Sequence, residues 1–562
     1  MKIGVNDIVD CKIGTNQVAK VYLGSNLVWE KSGSTLLLDV YPNASAAYSL
    51  RKLRTAYTGD AIEVRIDTAT TPQPSYNIGF DSDGNLDTAD LLSKAGSNDA
   101  YVAVWYDQSG NANNATQVSA TLQPQIVNLG VVVTDNGLPT IDYSTSGNDY
   151  LSLTTRLVNV GSAFLIYNAE ISSGTNTQLL LGDTSSYNYH AGSGDNILNG
   201  SFSAPSVYNG SNYINSISKN FTNTIRPTDQ SLISMIHTSS TNAVSQLTKD
   251  RNFTGRSWKG NMQEVILYPS DQSANRAGIQ TNINTNYNIY WDGSQTGLLD
   301  DYPNASAAYS LRALNSAYTG ASIKVRRSSD NAEQDINLLY DGSLNTSSLL
   351  SFVGSNDGFV TVWYDQSGNN EDASDSNANS QASIVLSGVL NTTNGNPAAL
   401  GQSNSGYTTG RSIFNGADGT FSGFVVSKLT NQFDGVICLR DSGADLFRYF
   451  NTSSSTFRVQ SWANGGGSQV LVTEPISANS DAISSFIRGL DTLSTSSNTL
   501  TNSMSGLSAP LKHTGDNLTV MGFTNGNAGL ESYFSEAILY PFEQSSNRVA
   551  IETNINNHYT IY

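Results

Sequence analysis

Apolar residues in this chain come in short runs broken by Gly, Asn and Ser, which is the punctuation of many strands joined by turns. Ala163-Phe164-Leu165-Ile166-Tyr167 and Gln178-Leu179-Leu180-Leu181 in the first half, and Phe424-Val425-Val426 and Val436-Ile437-Cys438-Leu439 in the second, read as core strands. Glu264 to Tyr268 and Glu536 to Tyr540 read as closing strands, with period-two alternation turning both glutamates to solvent or to local partners. A helical period is rarer. Ala46, Leu50, Leu53 and Tyr57 fall on one face, between the candidate caps Ser45 and Gly59, and predict a helix opening the first half. Ala307, Leu311, Leu314 and Tyr318, with Ser306 and Gly320, predict its counterpart. Further short helices are predicted over Thr88 to Ala95 and Thr346 to Val353, and terminal ones over Ser273 to about Asn284 and Ser545 to about Asn556.

These elements recur because the chain contains one unit twice. Val104-Trp105-Tyr106-Asp107-Gln108-Ser109-Gly110-Asn111 returns unchanged as Val362-Trp363-Tyr364-Asp365-Gln366-Ser367-Gly368-Asn369, and Tyr41 to Arg51 returns as Tyr302 to Arg312. A repeat of about 260 residues is too long for a solenoid and ordinary for a whole domain. Many short strands at turn-punctuated spacing predict an all-β fold of two tandem β-sandwiches with short peripheral helices. The expected boundaries are 1–33 for an N-terminal β segment, 34–292 for the first sandwich and 293–562 for the second.

Composition narrows the partners. Charged residues are 14% of the 562, well under the roughly 25% of a typical soluble protein, and the net charge is −18. An acidic surface repels nucleic-acid phosphates and anionic bilayers, so neither nucleic acid nor membrane insertion is expected. No apolar run approaches the ~20 residues of a membrane span, and Met1-Lys2-Ile3-Gly4 does not open a secretion signal. Export without such a signal, for example by phage lysis of a host, is the expectation. Cys11 and Cys438, far apart, exclude a disulfide framework.

The first thirty residues have no counterpart before the second unit. Val21, Tyr22 and Leu23 face Leu27, Val28 and Trp29 across Gly24-Ser25-Asn26, a hairpin too small to be stable alone. This leader resembles N-terminal segments of bacteriophage virion proteins, which implies that these six residues anchor the chain to other virion proteins.

Three constellations carry candidate chemistry. Trp105, Tyr106, Asp107 and Gln108, with Trp363, Tyr364, Asp365 and Gln366, could form sugar platforms, the rings stacking on C–H faces and the polar groups bonding hydroxyls; the favoured alternative is a core aromatic pair followed by an Asp-capped turn. Asp81, Asp83, Asn85 and Asp87 alternate oxygen ligands in a way that could hold Ca²⁺, although an Asx-rich turn capping the next helix fits the residues better. His190, His237, His513 and His558 show no metal spacing.

Both units are similar to the catalytic domain of the α-L-arabinofuranosidase B family. The similarity is carried by Ser310-Leu311-Arg312, Val325-Arg326-Arg327-Ser328-Ser329-Asp330-Asn331, Asp335-Ile336, Val362 to Gly368 and Tyr540-Pro541, and it implies a concanavalin A-like jelly roll for each sandwich. It also implies a retaining pair of carboxylates. The family's nucleophile stretch has its nearest equivalent in Ala444-Asp445-Leu446-Phe447-Arg448, which lacks Glu. The stretch bearing the acid reads Met521-Gly522-Phe523-Thr524-Asn525-Gly526 in the second unit and Arg251-Asn252-Phe253-Thr254-Gly255 in the first, without Asp.

The expectation from sequence is therefore a virion structural protein without glycosidase activity. It would be an external appendage, such as a tail or head fibre, on the particle surface, homo-oligomeric and touching host surface glycans through weak sites multiplied by avidity. A secreted arabinofuranosidase-like glycoside hydrolase and a structural spacer that binds no glycan are the alternatives. No cofactor is expected beyond the Ca²⁺ named above.

Overall fold

The computed structural model describes residues 36–562 except 146, 172–179, 193, 402–405, 410–419, 429–434, 442–443, 454–455, 463–468, 476–479, 507–516 and 521–531; over 1–35 and most of 435–475 it describes strand backbones alone. The chain divides into two units, Met1–Ile289 and Tyr290–Tyr562, a boundary three residues ahead of the expected one.

Each unit is a β-sandwich built outward from its closing strand. In the first, Gly260–Tyr268 runs antiparallel to Ser162–Ala169 along one edge and to Ala46–Ser49 and Ile141–Asp142 along the other. Ser162–Ala169 continues to Ser231–Ile236 and then Ser211–Ile214. Ala100–Trp105 is flanked by Ile62–Ile66 and Gln125–Asn128, and Leu151–Val160 pairs with Asn242–Leu247. One continuous core, including Tyr48, Trp105, Tyr143, Tyr167 and Trp258, fills the space between these strands.

The second unit repeats the plan. Tyr533–Tyr540 pairs with Phe421–Lys428 and Ala307–Ser310, Phe421–Lys428 with Asp481–Arg488, and Gly358–Trp363 with Ile323–Arg327 and Ser383–Leu386. Its core holds Trp363, Tyr309, Tyr407 and Phe534.

Four helices lie where the sequence puts them. Thr88–Ala95 is capped by Asp87, which accepts from Asp90 N, and Thr346–Val353 by Asn345, which accepts from Ser348 N. The terminal helices are Arg276–Tyr287 and Arg548–Tyr559, each starting three residues later than the pattern suggests.

The helices expected to open each unit do not form. Ala46–Ser49 and Ala307–Ser310 are strands with all four positions buried. The proposed N-cap Ser45 instead donates its N–H to Leu267 O, and Ser306 to Leu539 O. A strand wedged between a sheet neighbour and the core is apolar on both faces, so its run cannot be told from a helical one by spacing alone.

In the leader, Lys20–Leu23 and Asn26–Glu30 pair antiparallel, Val21 opposite Trp29 and Tyr22 opposite Leu27. The side chains of Val21, Tyr22, Leu23, Leu27, Val28 and Trp29 lie outside the described residues, as does the run Gln178-Leu179.

Candidate functional site

The repeated Trp-Tyr-Asp-Gln turn is built into the fold. Trp105 and Trp363 are fully buried, Trp105 with its ring 5.9 Å from that of Tyr48 and Trp363 edge-on to Phe534 at 5.4 Å. Asp107 Oδ1 accepts from Ala47 N (2.8 Å) and Ser109 N (2.9 Å), and its Oδ2 from Ser109 Oγ (2.7 Å) and Asn113 N (3.0 Å). Gln108 accepts from Leu53 N and donates to the Ser49 and Arg51 carbonyls. Asp365 and Gln366 do the same around Ala308, Ser367, Glu371 and Leu314. Six of the eight residues suggested as a sugar platform are therefore buried, the Asp and Gln side chains are spent on the turn, and no sugar ring reaches the tryptophans. Tyr106 and Tyr364 alone are half-buried, their hydroxyls donating to Asn77 Oδ1 at 3.0 Å and Asp335 Oδ1 at 2.7 Å.

Glu264 and Glu536 also differ from expectation. Their closing strands are buried on both faces, so alternation delivers neither glutamate to water. Glu264 is fully buried and forked by Arg51, whose Nε lies 2.8 Å from Oε2 and Nη2 3.1 Å from Oε1. Ser49 Oγ donates to the same carboxylate at 2.7 Å and Tyr287 OH at 3.1 Å. Burial, and then the Glu264 charge, drives the Tyr287 hydroxyl pKa well above its ordinary value. The second unit reproduces the cluster with Glu536, Arg312, Ser310 and Tyr559. It clamps the closing strand to the terminal helix, and a carboxylate so enclosed has no access to substrate.

The Arg-Arg-Ser-Ser-Asp stretch is a locked hairpin. Arg327 forks Asp330 at 3.0 and 2.7 Å, and Arg326 donates to Gln381 Oε1 and Asn331 Oδ1. At Asp81, Asp83, Asn85 and Asp87 the bonds are those of an Asx turn leading into a helix cap. Asp81 Oδ1 is taken by Asp83 N and Asn85 N, while Asp87 caps its helix. Among the described residues no group of three or more His, Cys, Asp or Glu is placed to hold a metal ion.

One exposed cluster in the first unit was not anticipated. Asp250 stands one residue before the stretch Arg251 to Gly255, has a fully buried side chain, and is paired with Arg251, Arg256 and His190. The signal in the sequence was charge density: Lys249-Asp250-Arg251 and Arg256 crowd four charges into eight residues of a chain that is 14% charged. In the second unit, strands Gly435–Asp441 and Ala444–Ser453 form a hairpin that sets Asp441 opposite Ala444 and Arg440 opposite Asp445. The stretch Met521 to Gly526 lies outside the described residues.

Residues 300–404 match the family model of the α-L-arabinofuranosidase B catalytic domain. Among solved structures, an arabinofuranosidase complexed with arabinofuranosyl-α-1,2-xylobiose is 16% identical, with 46% of this chain and 64% of that chain covered and a TM-score of 0.38. A GH54 α-L-arabinofuranosidase soaked with a cyclic sulfate inhibitor is 18% identical, with 46% and 65% covered and a TM-score of 0.37. The chain thus spans under two thirds of the length of either. No curated protein sequence matches it.

The family match corrects the reading drawn from sequence. In place of a virion structural protein without glycosidase activity, the match of residues 300–404 to an arabinofuranosidase catalytic-domain model favours the glycoside hydrolase alternative.

Proposed function

We propose that this chain is a glycoside hydrolase of the arabinofuranosidase type, with the second unit carrying the reaction. The observation that carries the proposal is the match of residues 300–404 to the arabinofuranosidase B catalytic domain. That segment contains Ser310, Arg312, Asp365 and Gln366, the residues that fix the closing strand and the turn beside it.

Retention at an arabinofuranosyl centre requires a carboxylate nucleophile and a second carboxyl group as acid and base, about 5 Å apart. The enclosed Glu536 can serve as neither. Asp445 belongs to the stretch nearest the family's nucleophile segment, and Asp441, which pairs with Ala444 and not with Asp445, is a separate candidate at the same end of the hairpin. These two positions are the first to substitute. The test is release of arabinose from arabinofuranosyl-substituted xylan by the intact chain, followed chromatographically. Release that Asp445→Asn or Asp441→Asn lowers by about 10²-fold or more supports the proposal; arabinose no higher than in a protein-free control refutes it.

A further inference from the structure

In the first unit, rings and cations alternate along an exposed line over a buried carboxylate. Asp250 lies at its base, accepting from Arg251 Nε at 2.8 Å and Nη2 at 3.2 Å and from Arg256 Nη1 at 3.1 Å. Arg251 stacks over the rings of Tyr187 (5.0 Å) and Phe253 (4.7 Å), and Arg256 over Phe253 (4.4 Å). His190 meets Tyr187 edge-on at 6.2 Å and Phe202 at 5.3 Å. Its Nδ1 accepts from Gly192 N at 2.8 Å, so the neutral ring carries its proton on Nε2, 3.8 Å from Asp250 Oδ2.

Two features set this cluster apart from a packing contact. Tyr187, Phe202 and Phe253 are 45%, 52% and 45% exposed, a concentration of wet aromatic surface around buried charge. One carboxylate also faces two guanidiniums. Among the described residues, Arg251 Nη1 and Arg256 Nε and Nη2 have no protein acceptor, which leaves a local cationic surplus on a chain of net charge −18. The backbone is strained at the same place: Thr248 and Arg251 hold φ of 74° and 49°, a left-handed conformation that a β-branched residue rarely adopts. The Arg251 fork onto its own neighbour Asp250 holds that bend.

We propose that Tyr187, Phe202, Phe253, Arg251 and Arg256 form a binding site for a sugar bearing a carboxylate, a uronic acid residue of an acidic polysaccharide. The unoccupied guanidinium N–H groups bond the carboxylate in the planar, charge-assisted geometry that arginine favours. The exposed rings take the C–H faces of the pyranose. The site is independent of the arabinofuranosidase reading, because it lies in the first unit and binding needs no turnover.

The test is titration calorimetry of the intact chain with tetragalacturonate, a neutral arabino-oligosaccharide of equal length, and sodium sulfate. Saturable binding of tetragalacturonate alone is expected, with affinity falling as NaCl is raised. Phe253→Ala and Arg256→Gln, both at exposed side chains, should each weaken it at least tenfold with the circular dichroism spectrum unchanged, and Phe202→Ala serves as a third variant should either fail to fold. Three results would overturn the proposal: no saturable binding of tetragalacturonate, equal binding of the neutral oligosaccharide, or sulfate binding as tightly as the sugar. Arabinose release is scored separately, so either result stands without the other.

Discussion

Arg312 and Glu536 form a buried two-pronged ion pair, with Nε and Nη2 at 2.7 and 3.0 Å from the carboxylate oxygens, and Arg51 and Glu264 form the same pair at the corresponding place in the first unit. A buried charge left alone by removal of its partner is costly, typically about 3–5 kcal/mol. Glu264→Gln and Glu536→Gln should therefore each destabilise their own unit by that order in urea unfolding, with the other unit little changed. A loss below about 1 kcal/mol would mean that water reaches these sites. Any loss of hydrolysis in Glu536→Gln is then to be credited to unfolding, which is why Asp441 and Asp445 are the informative substitutions.

Asp365 spends both oxygens on four donors: Ala308 N, Ser367 N, Ser367 Oγ and Glu371 N. Asp365→Asn turns an amide NH₂ toward N–H groups that cannot accept, leaving a buried donor unsatisfied at a cost of about 1–3 kcal/mol. Differential scanning calorimetry should show the second unit melting earlier, and Asp107→Asn should do the same to the first.

Burial pushes the Asp135 carboxyl up to about 6, helped by the nearby Asp229 and opposed by the hydrogen bond from Asn168. Between the ordinary carboxylate range and pH 6 the folded state therefore binds more protons than the unfolded one, and this residue's contribution to stability falls as pH rises through that window. Asp135→Asn keeps a carbonyl for the Asn168 Nδ2 that now donates to Oδ2 at 2.9 Å. The substitution should raise stability by about 2 kcal/mol at pH 7.5 and leave it nearly unchanged below pH 4. Urea midpoints compared at the two pH values check this; an equal effect at both would show that Asp135 is not held in its neutral form.

Much of the architecture was legible because it repeats. Two copies of Trp-Tyr-Asp-Gln fixed the unit, and the Gly, Asn and Ser breaks fixed its strands. What misled was burial on both faces. Ala46–Ser49 lies against the closing strand and the core at once, so its apolar run carries no period-two signature and its spacing matches a helix equally well. The same effect hid Glu264, whose place in an apparently alternating strand suggests solvent or a local partner, whereas Arg51, 213 residues earlier, encloses it. The Asp250 cluster joins His190 and Tyr187 to Arg251 and Arg256 across about 60 intervening residues. No local pattern announces such a meeting; the density of charge around Asp250 marks only one side of it.

Hydrolysis of 4-nitrophenyl α-L-arabinofuranoside by the intact chain tests the proposal of a glycoside hydrolase most directly, since the substrate carries a single arabinofuranosyl group and a leaving group that needs little protonation. The expected result is release of 4-nitrophenol at a rate proportional to protein concentration, reduced about 10²-fold or more in a folded Asp445→Asn or Asp441→Asn variant. Release that never rises above the protein-free rate, from a chain whose two units both melt cooperatively, would contradict it.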